Sequence, residues 1–208
     1  MTETKERQAH WQGVYTRKNE DEVSWYQARP EVSLRFIANA GPGREAAIID
    51  AGGGASRLVD HLLEAGHADV TVLDIAEAAL EKARARLGEG AERVRWIAAD
   101  LLSWRPDRQF DIWHDRAVFH FLTEAEDRQR YVDVLQSALK PGGHVIIATF
   151  APDGPEKCSG LPVMRHSPQS IAAELGDGFA LVETADEHHV TPAGRMQHFN
   201  YARLKRVG

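Results

Sequence analysis

A lone cysteine, Cys158, in a chain of 208 residues excludes an internal disulfide and fits a reducing compartment. No apolar stretch approaches the roughly 20 residues needed to cross a bilayer, and the charged residues 2–7 lack the apolar segment of a secretory signal. A cytoplasmic protein with no membrane partner is therefore expected. Blocks of basic residues interleaved with aromatics are missing as well. The net charge of −6 has the wrong sign for neutralising phosphates, which argues against nucleic acid as a partner. The basic residues near the end, Arg203, Lys205 and Arg206, are expected on a solvated strand end. There is no internal repeat and no low-complexity tract. What remains is 43% apolar and 27% charged, enough to bury a substantial core within one α/β domain.

The segment that carries most chemistry is Asp50-Ala51-Gly52-Gly53-Gly54, at the end of the apolar run Ala46-Ala47-Ile48-Ile49, where a first strand hands over to a helix. Glycines let such a turn adopt unusual backbone angles and let a ligand approach the main chain closely. Asp50 would repel a pyrophosphate and attract a ligand carrying an α-ammonium and a sulfonium. A dinucleotide fingerprint further requires Gly-x-Gly-x-x-Gly. Counting from Gly52, its third glycine is replaced by Arg57, which fails the packing requirement. Asp74, followed by Ile75, ends a second run, Val70-Thr71-Val72-Leu73, 24 residues after Asp50. A carboxylate at that strand tip can grip both hydroxyls of a ribose. Asp100, followed by Leu101, ends a third run over residues 94–99 and can meet an adenine edge. In open α/β sheets ligands bind beyond the carboxyl ends of the strands, so the three acids are expected around one crevice.

Through Asp50, Gly52 and Gly54 the chain resembles the class I S-adenosylmethionine-dependent methyltransferases, whose glycine-rich loop reads acid-x-Gly-x-Gly. The likeness spans roughly residues 46 to 150. It extends to Phe110-Asp111-Ile112-Trp113-His114-Asp115, similar to the family's fourth strand, and to Leu139-Lys140-Pro141-Gly142-Gly143, similar to the turn before its fifth. The resemblance implies S-adenosyl-L-methionine as cofactor, held by Asp50, Gly52, Gly54, Asp74, Ile75, Asp100, Leu101, Asp115 and Trp25. It also implies an α/β, Rossmann-like methyltransferase fold. Its sheet would have seven mostly parallel strands in the order 3-2-1-4-5-7-6, an antiparallel last strand and helices on both faces.

Periodicity places the elements. Helical spacing is expected over residues 30–40, 56–65 and 76–87, and after the capping sequence Thr123-Glu124-Ala125-Glu126, with Tyr131, Val132, Leu135 and Leu139 inward. Pro141-Gly142-Gly143 should stop that helix, a fifth strand should run over 144–150, and a short helix over 168–175. The runs 179–189 and 196–204, separated by a loop with Pro192 and Gly194, read as an antiparallel hairpin that sets His189 opposite His198. One domain over 1–208 is expected, with a helical lid over 1–40, a cofactor-binding core over 46–150, and a substrate loop and hairpin over 151–208.

Candidates for acceptor chemistry lie outside the glycine loop. Trp11, Tyr15, Trp25 and Tyr26 either anchor the N-terminal helix by area burial or close a lid with one ring against the sulfonium. Trp25 and Tyr26, followed by Arg29, are the expected lid. The resemblance places Asp115 and Arg116 toward the acceptor; the alternative is an ion pair between them beside a packed His114. The loop after strand five carries Cys158 and His166, and the hairpin carries His188, His189 and His198. Their spacing matches no standard zinc pattern, and adjacent strand residues point to opposite faces, so no metal is expected. His189 or His166 is expected as base if the acceptor must lose a proton, with Asp115 or Arg116 orienting it. A small-molecule acceptor is favoured over a protein, because the loop can close. Methylation of protein lysine and a cofactor-binding scaffold without turnover stay open as alternatives, as does the oligomeric state.

Overall fold

The computed structural model describes residues 2–208. Seven strands form one sheet: β1 (Ala47–Ala51), β2 (Asp69–Asp74), β3 (Val94–Ala98), β4 (Phe110–Arg116), β5 (Leu139–Phe150), β6 (Phe179–Val190) and β7 (Met196–Arg206). Their spatial order is 3-2-1-4-5-7-6, with β7 antiparallel to both of its neighbours and the first five strands parallel. Strands buried on both faces read as continuous apolar runs, and the sequence Ile48-Ile49 shows why. Alternate side chains leave opposite faces, so Ile49 and Trp113 join one core while Ile48 and Ile112 join the other.

Helices cover both faces. α1 (Thr2–Arg17) and α2 (Glu31–Asn39) precede the sheet, and α3 (Leu58–Glu64), α4 (Glu77–Leu87), α5 (Ala125–Ala138) and α6 (Pro168–Leu175) alternate with its strands. Phe36 of α2 and Leu58 and Leu62 of α3 pack with Ile48, whereas Tyr131 and Leu135 of α5 and Ile171 of α6 pack with Ile49. None of the described helices is long and apolar enough to cross a membrane.

Several boundaries differ from the sequence-based expectation, each for a local reason. α3 begins at Leu58 because Ser56 stays in the turn, where its Oγ accepts the Leu58 amide at 3.1 Å. Glu124 caps α5 without any side-chain bond, so the expected Thr123 capping box does not form. β5 starts at Leu139 rather than His144: Leu139 pairs with Phe110, and a register shift between Phe110 and Ile112 absorbs Pro141 and the two glycines. In the hairpin it is His188 that lies opposite His198, their rings stacked at 4.5 Å, while His189 faces Gln197. The five residues 191–195 set this register by placing Val190 against Met196. Arg203 and Arg206 are engaged rather than solvated, the first with Glu183 and the second with backbone carbonyls of the α5–β5 junction. A two-residue ladder, Lys157–Cys158 against Leu161–Pro162, folds back through Ser159 at φ 51° and Gly160 at φ 83°.

Candidate active site

The turn after β1 is built around missing side chains. Gly52 and Gly54 sit at φ 74° and 49°, and the Gly52 amide donates to the Leu73 carbonyl at 2.7 Å, tying the turn to β2. A Cβ on Gly52 would overlap Val118, one on Gly53 the Asp50 carboxylate, and one on Gly54 would stand 2.9 Å from Asp74 Oδ2. Only glycine therefore leaves this cradle open, with acids on its rim.

Asp50, Asp74 and Asp100 end β1, β2 and the segment after β3, and all three line one cleft of about 1330 Å³, solvent mouth included. Burial, aided by the Asp50 charge, pushes the Asp74 carboxyl up to about 7, against backbone hydrogen bonds such as that from Ala76 at 2.8 Å. Asp50 Oδ1 accepts from His114 Nδ1 at 2.7 Å, both side chains being buried. Asp100 accepts from Arg7 Nη2 at 2.9 Å.

The roof comes from the N-terminus. α1 presents Arg7, Trp11 and Tyr15 to the cleft. Trp11 meets Trp25 edge-on at 5.7 Å and Phe121 at 5.1 Å, and Trp25 Nε1 donates to Tyr15 Oη at 3.3 Å. Trp25 and Tyr26 line the cleft, but Arg29 turns outward to Glu31 and the surface. Arg116 holds the roof in place. Its Nη1 donates to the Trp25 carbonyl at 3.1 Å, its Nη2 to Glu187 at 3.1 Å and its Nε to Tyr201 Oη at 3.0 Å, with the guanidinium 4.3 Å from the Phe199 ring. Its ion pair is thus with Glu187, not Asp115.

The structure brings Asp50, Gly52, Asp74, Ile75, Asp100, Leu101, Trp25 and Arg116 to this one cleft. The other expected residues lie elsewhere. Gly54 completes the turn without lining the cleft itself, facing Asp74 and Tyr15, which do. Asp115 is fully buried beneath the cleft, where it accepts the Val118 amide at 2.9 Å and the Tyr131 hydroxyl at 2.8 Å; burial pushes it up to about 6 against these bonds. It thereby fixes the turn that carries Val118, with Ala117 at φ 73°. His166 is buried under Phe119 and against Ser170, with its pKa lowered by burial. His189 borders an adjoining groove that shares Tyr26 and Gln27 with the cleft, its Nε2 2.7 Å from the Ser24 carbonyl, and burial together with Arg116 lowers its pKa. Cys158 does line the cleft, but burial pushes its thiol up to about 12, so it is no thiolate. Among the described residues no group of three or more His, Cys, Asp or Glu side chains is placed to hold a metal ion.

Arg7 and Ser33 are cleft residues that gave no sequence signal: one sits in a charged segment without periodicity, the other among the apolar positions of α2. The parallel sheet with a glycine cradle and acids at three successive strand tips defines a Rossmann-like, nucleoside-binding class of protein. Residues 48–143 match the family model described as "Methyltransferase domain". Thiocyanate methyltransferase 1 of Brassica oleracea is 35% identical over 83 residues, 39% of this chain and 36% of that protein. A malonyl-[acyl-carrier protein] O-methyltransferase of Halorhodospira halophila is 29% identical over 174 residues, 82% of this chain and 54% of that protein. The chain thus spans about a third to a half of these curated relatives. The solved 1,6-didemethyltoxoflavin-N1-methyltransferase of Burkholderia thailandensis superposes with a TM-score of 0.73 at 22% identity, covering 98% of this chain and 90% of that one. Residues 48–143 are thus similar to a methyltransferase domain, and the fold is that of solved S-adenosylmethionine-dependent methyltransferases.

Proposed function

We propose that this protein is a cytoplasmic methyltransferase that moves the methyl group of S-adenosyl-L-methionine onto a small-molecule acceptor. The observation that carries the reading is the convergence of Asp50, Asp74 and Asp100 on one cleft around the turn of residues 52–54, where an added Cβ would collide with Val118, Asp50 or Asp74. Asp50 is the group to face an ammonium, Asp74 to accept ribose hydroxyls, and Leu101 with the Asp100 segment to meet adenine. The bound cofactor supplies an electrophilic methyl on sulfonium. The chain's part is to orient an acceptor in line and exclude water, which by itself supplies much of the rate. The aromatic roof of Trp11, Tyr15 and Trp25 over the cleft supports a compact acceptor.

The test is incubation with methyl-labelled S-adenosylmethionine and a size-fractionated cell extract. Label is expected in the small-molecule fraction; label confined to protein overturns the choice of acceptor, and no transfer to any fraction overturns the activity.

A further inference from the structure

Three cleft residues from three elements form a hydrogen-bonded row. His114 of β4 has Nδ1 2.7 Å from Asp50 Oδ1 of β1 and Nε2 2.9 Å from Ser33 Oγ of α2. Asp50 and His114 are 3% exposed and Ser33 0%, yet all three contribute to the cleft wall. A carboxylate has only acceptors to offer, so Nδ1 carries the hydrogen and donates it to Asp50. Nε2 then keeps its lone pair and accepts the Ser33 hydroxyl. Tyr201 Oη stands 3.4 Å from Ser33 Oγ on the far side, itself bonded to Glu187 of β6 and Arg116 of β4. The charges around the imidazole are therefore Asp50 across the β1–β4 pairing, Asp115 and Arg116 along its own strand, and Glu187 behind Tyr201. Among the described residues His114 is the histidine of the cleft wall; His166 and His189 are outside it.

We propose that Ser33, His114 and Asp50 are a proton relay that selects a protic acceptor, an amine, thiol or hydroxyl, and removes its proton as the methyl group arrives. This rests on the methyltransferase reading above. The acceptor's lone pair forms the new bond to carbon, and the electrons of the broken sulfur–carbon bond remain on sulfur. The acceptor's proton passes to Ser33 Oγ while the Ser33 hydroxyl proton passes to His114 Nε2. The positive charge that leaves sulfur reappears on the imidazolium, against the Asp50 carboxylate, so the cleft holds the same net charge before and after transfer. Buried ion pairs cost most when one partner is lost, and the relay keeps Asp50 partnered throughout. The polarity is that of a hydroxyl–imidazole–carboxylate row in acyl transfer, used here to accept a proton and not to form a covalent bond.

The experiment compares wild type, Ser33→Ala and His114→Gln in the full chain, with methyl-labelled S-adenosylmethionine and whichever extract fraction the wild type labels. S-adenosylhomocysteine affinity is measured by calorimetry on the same samples, and ¹⁵N-histidine NMR reads the imidazole nitrogens. Both variants should bind S-adenosylhomocysteine within about threefold of wild type, while transfer falls by about 10²-fold or more in His114→Gln and at least about tenfold in Ser33→Ala. The variants' rates should climb with pH as solvent replaces the base, and Ser33→Ala should shift the His114 Nε2 resonance while leaving Nδ1 protonated. Because Ser33→Ala removes one oxygen and nothing else, it keeps the question open even if His114→Gln does not fold. Transfer within about threefold of wild type in the variants, or losses that merely track cofactor affinity, overturns the relay. A wild type that binds no S-adenosylhomocysteine and transfers no label overturns the methyltransferase reading instead.

Discussion

Asp74 shows how one buried carboxyl links pH, stability and binding. Its pKa, pushed up to about 7 from 3.8 by burial and then by Asp50, means that the folded chain holds a proton the unfolded chain releases. The sign follows from linkage: stability falls as pH rises from about 4 to about 7 and is flat above. Asp74→Asn should therefore raise apo-protein stability at pH 8 by on the order of 2–4 kcal/mol and leave it unchanged near pH 3.5. The same change should weaken S-adenosylhomocysteine binding by roughly 1–3 kcal/mol, since a ribose hydroxyl loses its acceptor. Thermal unfolding across pH and calorimetry decide both, and equal affinity removes Asp74 from the cofactor site. Glu187 is the opposite case. Its side chain and that of Arg116 are 11% and 10% exposed, so Glu187→Ala strands a guanidinium and should cost about 3 kcal/mol in urea unfolding. A cost below about 0.5 kcal/mol would show that Tyr201, Trp25 and Phe199 suffice to hold Arg116.

At the scale of elements, the cradle and the roof make separate demands. Gly52 at φ 74° faces Val118, so Gly52→Ala combines a strained backbone with overlap and should abolish S-adenosylhomocysteine binding. Adding Val118→Ala should relieve the overlap and recover part of the stability, though not the backbone strain; a single Gly52→Ala that binds normally would contradict the cradle. The roof depends on α1, whose aromatic contacts to Trp25 and Phe121 run through Trp11. Trp11→Ala should destabilise by roughly 1–3 kcal/mol and lower cofactor affinity as well. Unaltered affinity would reduce α1 to a packing element.

Across the whole molecule, binding and stability are coupled by mass action. S-adenosylhomocysteine at 100 times its dissociation constant should add about 2.7 kcal/mol, a rise in Tm of roughly 5–11 °C for a chain of this size. A nicotinamide dinucleotide at equal concentration should leave Tm unmoved, because its pyrophosphate would meet Asp50 across the cradle. A larger shift with the dinucleotide would reverse the cofactor assignment.

The alternation of strands and helices, the glycine turn and the hairpin were legible in the residues themselves. Ile48-Ile49, the turn of residues 50–54 and the Pro192–Gly194 loop act through neighbours a few positions apart, where periodicity and backbone freedom decide the outcome. The family resemblance added the strand order, with the seventh strand inserted beside the fifth. Which polar groups meet was decided by the fold alone: Asp50 with His114, 64 residues on; His114 with Ser33, 81 residues back; Arg116 with Glu187, 71 residues on; and Arg7 with Asp100, 93 residues on. His189 and His166 look as reactive as His114 in the sequence, because all histidines carry the same chemistry there. Only the packing of α2 and β4 against β1 sets the His114 imidazole in the cleft wall while His189 and His166 pack elsewhere, and no local pattern encodes that choice.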